Sequence, residues 1–564
     1  MEKLKPKLFS VMKTYSKEQF VKDVVAGIIV AIIALPLSIA LAIASGVEPT
    51  AGIYTAIIAG FLVSFLGGSR VQIAGPTAAF ATIVAGIVAS DGLEGLMVAT
   101  IMAGILLIVM GLLRFGSLLK YIPYTITTGF TAGIAVTLLI GQIKDFCGLT
   151  YPEGTVTIET SQKVAAIVKN FGTVNIWAVL MGAICLAILI FWPKVSKKIP
   201  GSLVAVLVSA ALVKIFALPV NTIGSLYDVS GGLPHFTVTA STFTLANIKA
   251  QFSNALTIAI LAGIESLLSA VVADSMIHSK HRSNMELIAQ GVANIGSACF
   301  GGIPATGAIA RTAANIKNGG RTPIAGMVHS ITLLIVLLVL MPYAQLIPMP
   351  CIAAILFQVA YNMSGWRNFV HLVKTSPKSD ILVLVTTFVL TVVFDLVVAI
   401  EVGLILAALL FMKRMSEVTS VDGWKYIDDE EDPDSISLRE VPQDTLVYEF
   451  SGPMFFAAAE KILGLKVESQ YNFLILRMRG VGTIDATAMH NFEALYEKCR
   501  ENHVQLVFSH VNEQPMKVFE KSNFVDLVGR EFFCPHIDDA IALVDSLEKF
   551  VLETRKIRTG KKSE

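Results

Sequence analysis

Charge is what this 564-residue sequence has least of. Asp, Glu, Lys and Arg make up 15%, against about 25% in a soluble chain. That shortfall, with 54% apolar residues and a mean hydropathy of +0.68, excludes disorder or low-complexity structure for most of the chain. It also argues against an ordinary soluble enzyme. Neither sign is in excess, because 44 Lys and Arg face 43 Asp and Glu. Nucleic-acid binding, which needs a basic excess, has no support. Cysteine is scarce too: Cys147, Cys185, Cys299, Cys351, Cys499 and Cys534 stand apart with no CxxC pairing. No disulfide framework and no metal site are expected, only buried free thiols. A Walker-type phosphate loop is missing, which leaves ATP-driven pumping unsupported. No catalytic constellation is evident, so neither enzyme activity nor a cofactor is expected.

What the sequence does have is apolar length. From about Val24 to Met412 it is a series of long apolar runs, each near the ~20 residues that cross a bilayer as a helix. Runs centred near Ile33, Ile58, Ile83, Leu106, Val136, Ala183, Val206, Leu261, Leu333, Val385 and Ile405 qualify or nearly do. Gly/Pro-interrupted candidates lie near Ala293, Gly307 and Ala354. Together they predict 14 transmembrane segments. The few charges test that count. Lys3, Lys5, Lys7, Lys13, Lys17 and Lys22 keep the N-terminus inside, so every second loop should be basic. Arg70 follows the second segment, Arg114 and Lys120 the fourth, and Lys194, Lys197 and Lys198 the sixth. Lys280 and Arg282 follow the eighth, and Lys317 and Arg321 the tenth. Arg367, Lys374 and Lys378 follow the twelfth, and Lys413 and Arg414 the fourteenth. The alternation predicts a multi-pass protein of the inner (plasma) membrane with both termini cytoplasmic. A cleaved signal peptide is not expected, since the first run is too long and lacks a small-residue cleavage site.

Two segments look broken. Ile73–Phe80 and Gly301–Arg311 each place Gly and Pro before small residues and a short apolar helix. They are the third and tenth segments, and Pro76 and Pro304 lie 228 positions apart. Glu265 and Pro36, in the eighth and first segments, lie 229 apart. Seven segments per repeat is an odd number, so the second copy is inverted. Broken segments at matching places in inverted halves point to a transporter's central site. A helix starting inside the bilayer leaves N–H groups unpaired and presents a positive dipole end. Two such ends facing each other make an anion site. Thr77, Ala78, Thr306, Gly307 and Ala308 are small enough to let an anion reach the backbone. A single Gly/Pro pair would be an ordinary kink; two in register argue for a site.

Glu265 sits mid-segment, where a carboxylate is expensive and marks function. Ser269 lies at i+4 on the same face. The two together suit a proton or a sodium ion; structural pairing of the carboxylate is the other reading. Arg311, inside the tenth segment, either lends positive potential to the anion site, snorkels to the cytoplasmic interface, or pairs with Glu265. Asp274, Asp395 and Glu401 lie near segment ends and read as caps or interfacial pairs. His278 and His281 belong to a basic loop and do not read as metal ligands.

After about Ser416 the composition turns soluble. Residues 423–440 are an acidic, Pro-containing linker. Leu446–Phe450, Phe473–Met478 and Gln505–Ser509 read as strands, the second buried on both faces. Ala486–Cys499, Glu513–Lys521 and Ile537–Leu552 read as helices.

On these motifs the chain resembles the SulP family of anion permeases. The stretches that carry the resemblance are Leu35-Pro36-Leu37-Ser38, Ala74-Gly75-Pro76-Thr77, Gly263-Ile264-Glu265-Ser266-Leu267-Leu268 and Gly301 through Thr312, continued by Asn315 and Arg321-Thr322-Pro323. The cytoplasmic end looks like a STAS domain, with Asp485-Ala486-Thr487 opening its main helix. The expected fold is therefore a polytopic α-helical membrane protein with a small α/β STAS domain. Residues 1–22 form a cytoplasmic segment, 23–415 the transport domain, 416–440 the linker, and 441–564 the STAS domain with a basic tail. The resemblance implies a seven-plus-seven inverted repeat. Segments 1–4 and 8–11 form a core, and 5–7 and 12–14 a gate. It also implies elevator-type movement and a homodimer. The site it implies lies at Leu37, Leu41, Thr77, Ala78, Ala308, Ile309, Ala310 and Arg311, with Glu265 and Ser269 coupling an ion.

Three departures matter. Some members have Gln where Leu37 stands, so reliance shifts to backbone amides and Thr77. Sodium-coupled bicarbonate members look to have Asp and Thr where this chain has Glu265 and Ser269, which favours protons. STAS regulators carry a phosphorylatable Ser where Ala486 stands. The expected function is secondary active transport of a small inorganic or carboxylate anion (sulfate, C4-dicarboxylate or bicarbonate), proton-coupled or by exchange. The alternatives are an uncoupled anion channel or voltage-responsive motor, a sodium-coupled bicarbonate symporter, and a sensor whose STAS domain binds a cytoplasmic partner.

Overall fold

Apolar runs in a bilayer must satisfy their backbone internally, and helices do so. The structure, a computed structural model, describes residues 4–558 apart from 118–122, 153, 154, 156, 158, 197, 198, 228–231, 239–241, 395, 424–438, 466 and 468. Lys3, Lys120, Lys197, Lys198, Asp395, most of the acidic linker and the tail from 559 lie outside the described residues. The chain divides into two units, Met1–Ile405 and Leu406–Glu564.

In the first unit, α1 (Lys17–Ala44) is capped by Ser16, whose hydroxyl accepts from the Gln19 amide at 3.1 Å, and it carries Pro36 within. A strand of two residues, β1 (Ala74–Gly75), follows α2 (Pro49–Leu66). Next comes α3 (Ala78–Leu112), whose two limbs meet at Gly92, with φ 68° and ψ −170°. Those limbs are the third and fourth segments. α4 (Tyr124–Cys147), α5 (Ile176–Val195) and α6 (Gly201–Phe216) complete the first half. The second half holds α7 (Leu245–Ile277), α8 (Ser283–Cys299), β2 (Thr306–Gly307), α9 (Ile309–Lys317), α10 (Pro323–Ala344) and α11 (Met349–Ser364). It ends with the short α12 (Trp366–Thr375), α13 (Lys378–Val393) and α14 (Leu396–Val418). Counting both limbs of α3 and leaving out α12, this agrees with the 14 expected segments. Among the described residues, six helices are long and apolar enough to cross a membrane by length and composition alone.

The packing has the symmetry that a repeat requires. α1 packs on α10, and its counterpart α7 packs on α3. α2 packs on α10, as α8 does on α3; α4 packs on α13, as α11 does on α5. Contacts within segments 1–4 and 8–11 form one set, and α4, α5, α11 and α13 form another. Backbones touch where α3 crosses α8. A Cβ on Gly104 would lie 2.6 Å from the Gly291 carbonyl, and one on Gly291 2.5 Å from that of Gly104. Small residues of this kind let membrane helices approach closely.

The second unit holds a five-stranded sheet of β3 (Ser420–Gly423), β4 (Thr445–Ser451), β5 (Phe473–Gly480), β6 (Gln505–Ser509) and β7 (Phe533–Cys534), in that spatial order. β3 is antiparallel to β4; the other pairs are parallel. One face, through Leu474, Leu476 and Phe508, packs with residues of α15 (Phe456–Leu463), α16 (Ala486–Glu501) and α17 (Glu513–Lys521). α18 (Phe524–Val528) joins the same core, and α19 (Ile537–Arg558) covers the other face on Val447, Ile475 and Val507. β5 is buried on both faces from Phe473 to Met478, an apolar run interrupted by Arg477, which pairs with Glu449 at 2.9 Å.

Candidate functional site

The two broken segments meet. β1 and β2 pair antiparallel, Ala74 opposite Gly307 and Gly75 opposite Thr306. The ladder extends by one bond, from the Ala308 amide to the Ile73 carbonyl at 2.9 Å. Each strand leads straight into a helix start: β1 through Thr77 into α3, β2 through Ala308 into α9. Neither N-cap side chain bonds to its own helix. Two uncapped helix N-termini therefore start from one point, each with orphan amides and a positive dipole end.

Both glycines of the ladder are dictated by close approach. A Cβ on Gly75 would lie 2.3 Å from Arg311 Nη1, and one on Gly307 1.7 Å from Gln72 Nε2. A polar frame holds the strands. Thr306 donates to the Ala262 carbonyl at 2.9 Å, and Asn294 bonds both the amide and the carbonyl of Ala305 at 2.9 Å. Thr55 accepts from the Ile303 amide at 2.7 Å, and Asn315 donates to the Val71 carbonyl at 2.8 Å. Gln72 donates to Ser266 Oγ at 2.7 Å.

Thr77 Oγ1 donates to Glu265 Oε2 at 2.9 Å, so the carboxylate on α7 sits against the start of α3. Ser269 turns elsewhere: its hydroxyl donates to Thr312 Oγ1 at 3.4 Å, and Thr312 accepts from the Ile73 amide at 3.1 Å. Arg311 is 3% exposed, so it does not snorkel. Its Nη2 donates to the Pro76 carbonyl at 3.1 Å and lies 3.5 Å from Ser38 Oγ, while Nη1 is buried without a partner. Among the described ion pairs none joins it to Glu265. Leu41 and Ala78 are buried; Leu37, Thr77 and Ala308 are half-buried. Ile309 (45% exposed) and Ala310 open outward from the first turn of α9.

Four buried polar residues of this region are not singled out by sequence pattern. Glu286 on α8 accepts from the Gly68 and Ser69 amides at 2.8 and 3.0 Å, from Ser266, and from Gln290. It fixes the approach to β1. Asp23 on α1 accepts from Tyr15, Gln19, Thr322 and the Arg321 amide, tying α1 to the start of α10. Gln72 is the third. His329 on α10 is fully buried with neither ring nitrogen bonded. Glu286 and Asp23 both lie in the polar opening turns of their helices, so no position within an apolar run marks them. No group of three or more His, Cys, Asp or Glu that could hold a metal occurs among the described residues.

Comparison with known proteins places the chain in a family. The model described as the sulfate permease family matches residues 20–387. The chain belongs to the sulfate permease family. A STAS domain model matches residues 436–540. YvdB of Bacillus subtilis, provisionally named a sulfate transporter, is 40% identical over 532 residues, 93% of this chain and 98% of the relative. The bicarbonate transporter BicA of Picosynechococcus is 32% identical over 78% of this chain and 79% of its own length. The transmembrane domain of a cyanobacterial BicA superposes with a TM-score of 0.62 at 30% identity, covering 68% of this chain and 98% of that domain. The structure of SLC26A9 matches the fold with a TM-score of 0.84 at 19% identity, over 98% of this chain and 94% of that one. The chain is thus a multi-pass anion transporter with a STAS domain, and not an enzyme.

Proposed function

We propose that this permease carries an oxyanion together with a proton, at a site made by the starts of α3 and α9 with the middle of α1. The β1–β2 pairing carries this reading: it sets two uncapped helix N-termini side by side, with Glu265 bonded to the N-cap of one of them. The anion is held by first-turn amides at Ala78, Ile309 and Ala310 and by Thr77, between the apolar side chains of Leu37 and Leu41, with Arg311 lending charge from behind.

Coupling follows from Thr77. While Glu265 is ionised, the Thr77 hydroxyl is committed to it as a donor, and a negative charge lies beside the anion site. A charge about 6 Å away costs a second like charge about 3 kcal/mol at intermediate dielectric. Protonation removes that charge and lets Glu265 donate to Thr77 Oγ1, which turns the hydroxyl toward the anion. Proton and anion therefore favour each other's binding, as coupling requires. A sodium shell needs several oxygens; the Ser269 hydroxyl is directed to Thr312, and the described bond to the carboxylate comes from Thr77 alone, which favours the proton over sodium. The relatives named for sulfate and for bicarbonate support both as substrates, and a C4-dicarboxylate presents the same carboxylate chemistry.

The remaining readings belong with this one: an elevator-type movement of segments 1–4 and 8–11 against the rest, a homodimer, and a STAS domain that binds a cytoplasmic partner. The domain limits are 1–22, 23–415, 416–440 and 441–564, in an inner (plasma) membrane with both termini inside. Uptake of labelled sulfate, fumarate and bicarbonate into proteoliposomes, with and without an inward proton gradient, tests the function. Gradient-driven accumulation of one anion, lost in Glu265→Gln while counterflow persists, is the expected result. Accumulation driven by sodium alone, or conductance with no fixed stoichiometry, overturns it in favour of the symporter or channel.

A further inference from the structure

Between two spans of the second half lies a helix that crosses nothing. α12 is tied to α11 by Gly365 alone, in a left-handed turn at φ 53°, and to α13 by Ser376 and Pro377. Connections this short keep it beside the ends of α11 and α13, and at ten residues it is too short to cross a bilayer. Its sequence, Trp-Arg-Asn-Phe-Val-His-Leu-Val-Lys-Thr, presents three faces.

Phe369 and Leu372 are half-buried, and the Phe369 ring packs on Phe388 of α13 with centroids 5.3 Å apart. Beside them Asn368 donates to the Tyr124 hydroxyl at 2.9 Å. That face belongs to the protein. A second face, Trp366, Val370 and Val373 at i, i+4 and i+7, is exposed by 48%, 40% and 37%. A third, Arg367, His371 and Lys374 at the same spacing, is exposed and lies next to it around the helix. The Arg367 guanidinium stands over the Trp366 ring, 5.5 Å from its centroid, joining the two outer faces. Lys378 adds a further exposed cation, and Asp380 is the one acid between 366 and 380. An apolar stripe beside a basic stripe, with Trp at their border, is the pattern of a helix lying in a bilayer interface.

We propose that α12 is an interfacial helix that binds anionic phospholipid, with Trp366, Val370 and Val373 among the acyl chains and Arg367, Lys374 and Lys378 on the headgroup phosphates. The occupant is a lipid because the basic stripe adjoins an apolar one: a free anion would use the cations and leave Trp366, Val370 and Val373 in water. The anionic headgroup thereby fixes the depth at which α11 and α13 sit. This inference does not depend on the coupling mechanism above.

The test uses the full-length protein carrying Trp177→Phe, Trp192→Phe and Trp424→Phe, which leaves Trp366 as its only tryptophan. Reconstituted into vesicles of phosphatidylcholine and phosphatidylglycerol, whose negative surface attracts basic segments, it is quenched by bromine-labelled acyl chains on one lipid or the other. Stronger quenching by the brominated phosphatidylglycerol at equal mole fraction is expected. Arg367→Gln, Lys374→Gln and Lys378→Gln together should abolish that preference, each cation being worth about fivefold. Equal quenching by both lipids overturns the headgroup assignment, and no quenching by either overturns the interfacial one. A preference abolished by inorganic phosphate assigns the cations to a free anion and overturns it as well. Should the triple variant fail to fold, the phosphatidylglycerol retained by the unchanged protein after purification decides; retention no greater than that of phosphatidylcholine overturns the proposal.

Discussion

The starts of α3 and α9 are equivalent by the repeat and paired by one ladder, yet their charges are opposite. At the α3 start the N-cap is Thr77, and its hydroxyl reaches the carboxylate of Glu265. At the α9 start the N-cap is Ala308, and the ionisable residue is a cation, Arg311, two residues into the helix and folded back to the Pro76 carbonyl before α3. A symmetric backbone thus carries an asymmetric pair of charges. On the proposed reading the repeat supplies two helix dipoles for the anion, and the asymmetry divides the labour: one end holds a titratable acid for coupling, the other a permanent charge for affinity. Arg311 also bridges the two, being built on one broken segment and bonded to the other.

Removing the cation should break the comparison most. Arg311→Met takes away the charge behind the site and leaves the Pro76 carbonyl without its donor. Uptake is expected to fall at least 100-fold, and the thermal midpoint to drop, since buried bonds to charged groups contribute about 1.5–3 kcal/mol. Arg311→Lys separates the two effects. It restores charge without the fork, so some uptake should return without full stability. Unchanged uptake in Arg311→Met would place the anion elsewhere.

Changing the acid should do less to binding and more to coupling. Glu265→Gln keeps a hydrogen-bond acceptor for Thr77 but fixes the neutral state. Counterflow should stay within about tenfold of the unchanged protein, while accumulation driven by a proton gradient disappears and uptake becomes flat with pH. A retained pH dependence would assign the proton to another group, with Glu286, buried and bonded to the adjacent Ser266, the first alternative.

The ladder itself can be probed at its glycines. Gly307→Ala would put a methyl 1.7 Å from Gln72 Nε2, and Gly75→Ala one 2.3 Å from Arg311 Nη1. Overpacking of this kind costs about 1–3 kcal/mol. Both should lower the thermal midpoint, but only Gly75→Ala moves the guanidinium and should also weaken anion affinity. Equal affinity loss in both would mean that the strands, not Arg311, set the site.

Much of this architecture is legible in the amino-acid sequence. Long apolar runs and the two Gly/Pro breaks locate the helices and the junction of β1 with β2, because the bilayer imposes length on every span. In the soluble unit Gln505–Ser509 and Glu513–Lys521 match to the residue, since short amphipathic patterns bounded by polar loops leave little choice. Partners are harder to foresee. Spacing puts Ser269 on the face of Glu265, and so it suggests a shared ion, but a helix face is wide and Thr312 on another segment claims the hydroxyl. Glu286 and Asp23 lie near segment ends, where a carboxylate looks interfacial; only the fold shows amides from distant loops converging on them. The β1–β2 register joins residues more than 230 positions apart, and no local pattern encodes it.

Ser269 offers the smallest and most discriminating effect. If the carboxylate binds a proton, Ser269 serves only as a donor to Thr312, whose oxygen also takes the Ile73 amide. Ser269→Ala then removes one long bond of 3.4 Å, leaving Thr312 still bonded to Ile73. A loss of about 0.5–1 kcal/mol in stability follows, with transport within about threefold and no change in cation dependence. If instead Ser269 and Glu265 share a sodium ion, the same substitution removes a ligand, and uptake should fall in proportion to the sodium gradient. Measuring uptake of Ser269→Ala against sodium at fixed pH, then against pH without sodium, separates the two. The side chain that sequence spacing pairs with Glu265, and the fold pairs with Thr312, thus decides which ion the acidic end carries.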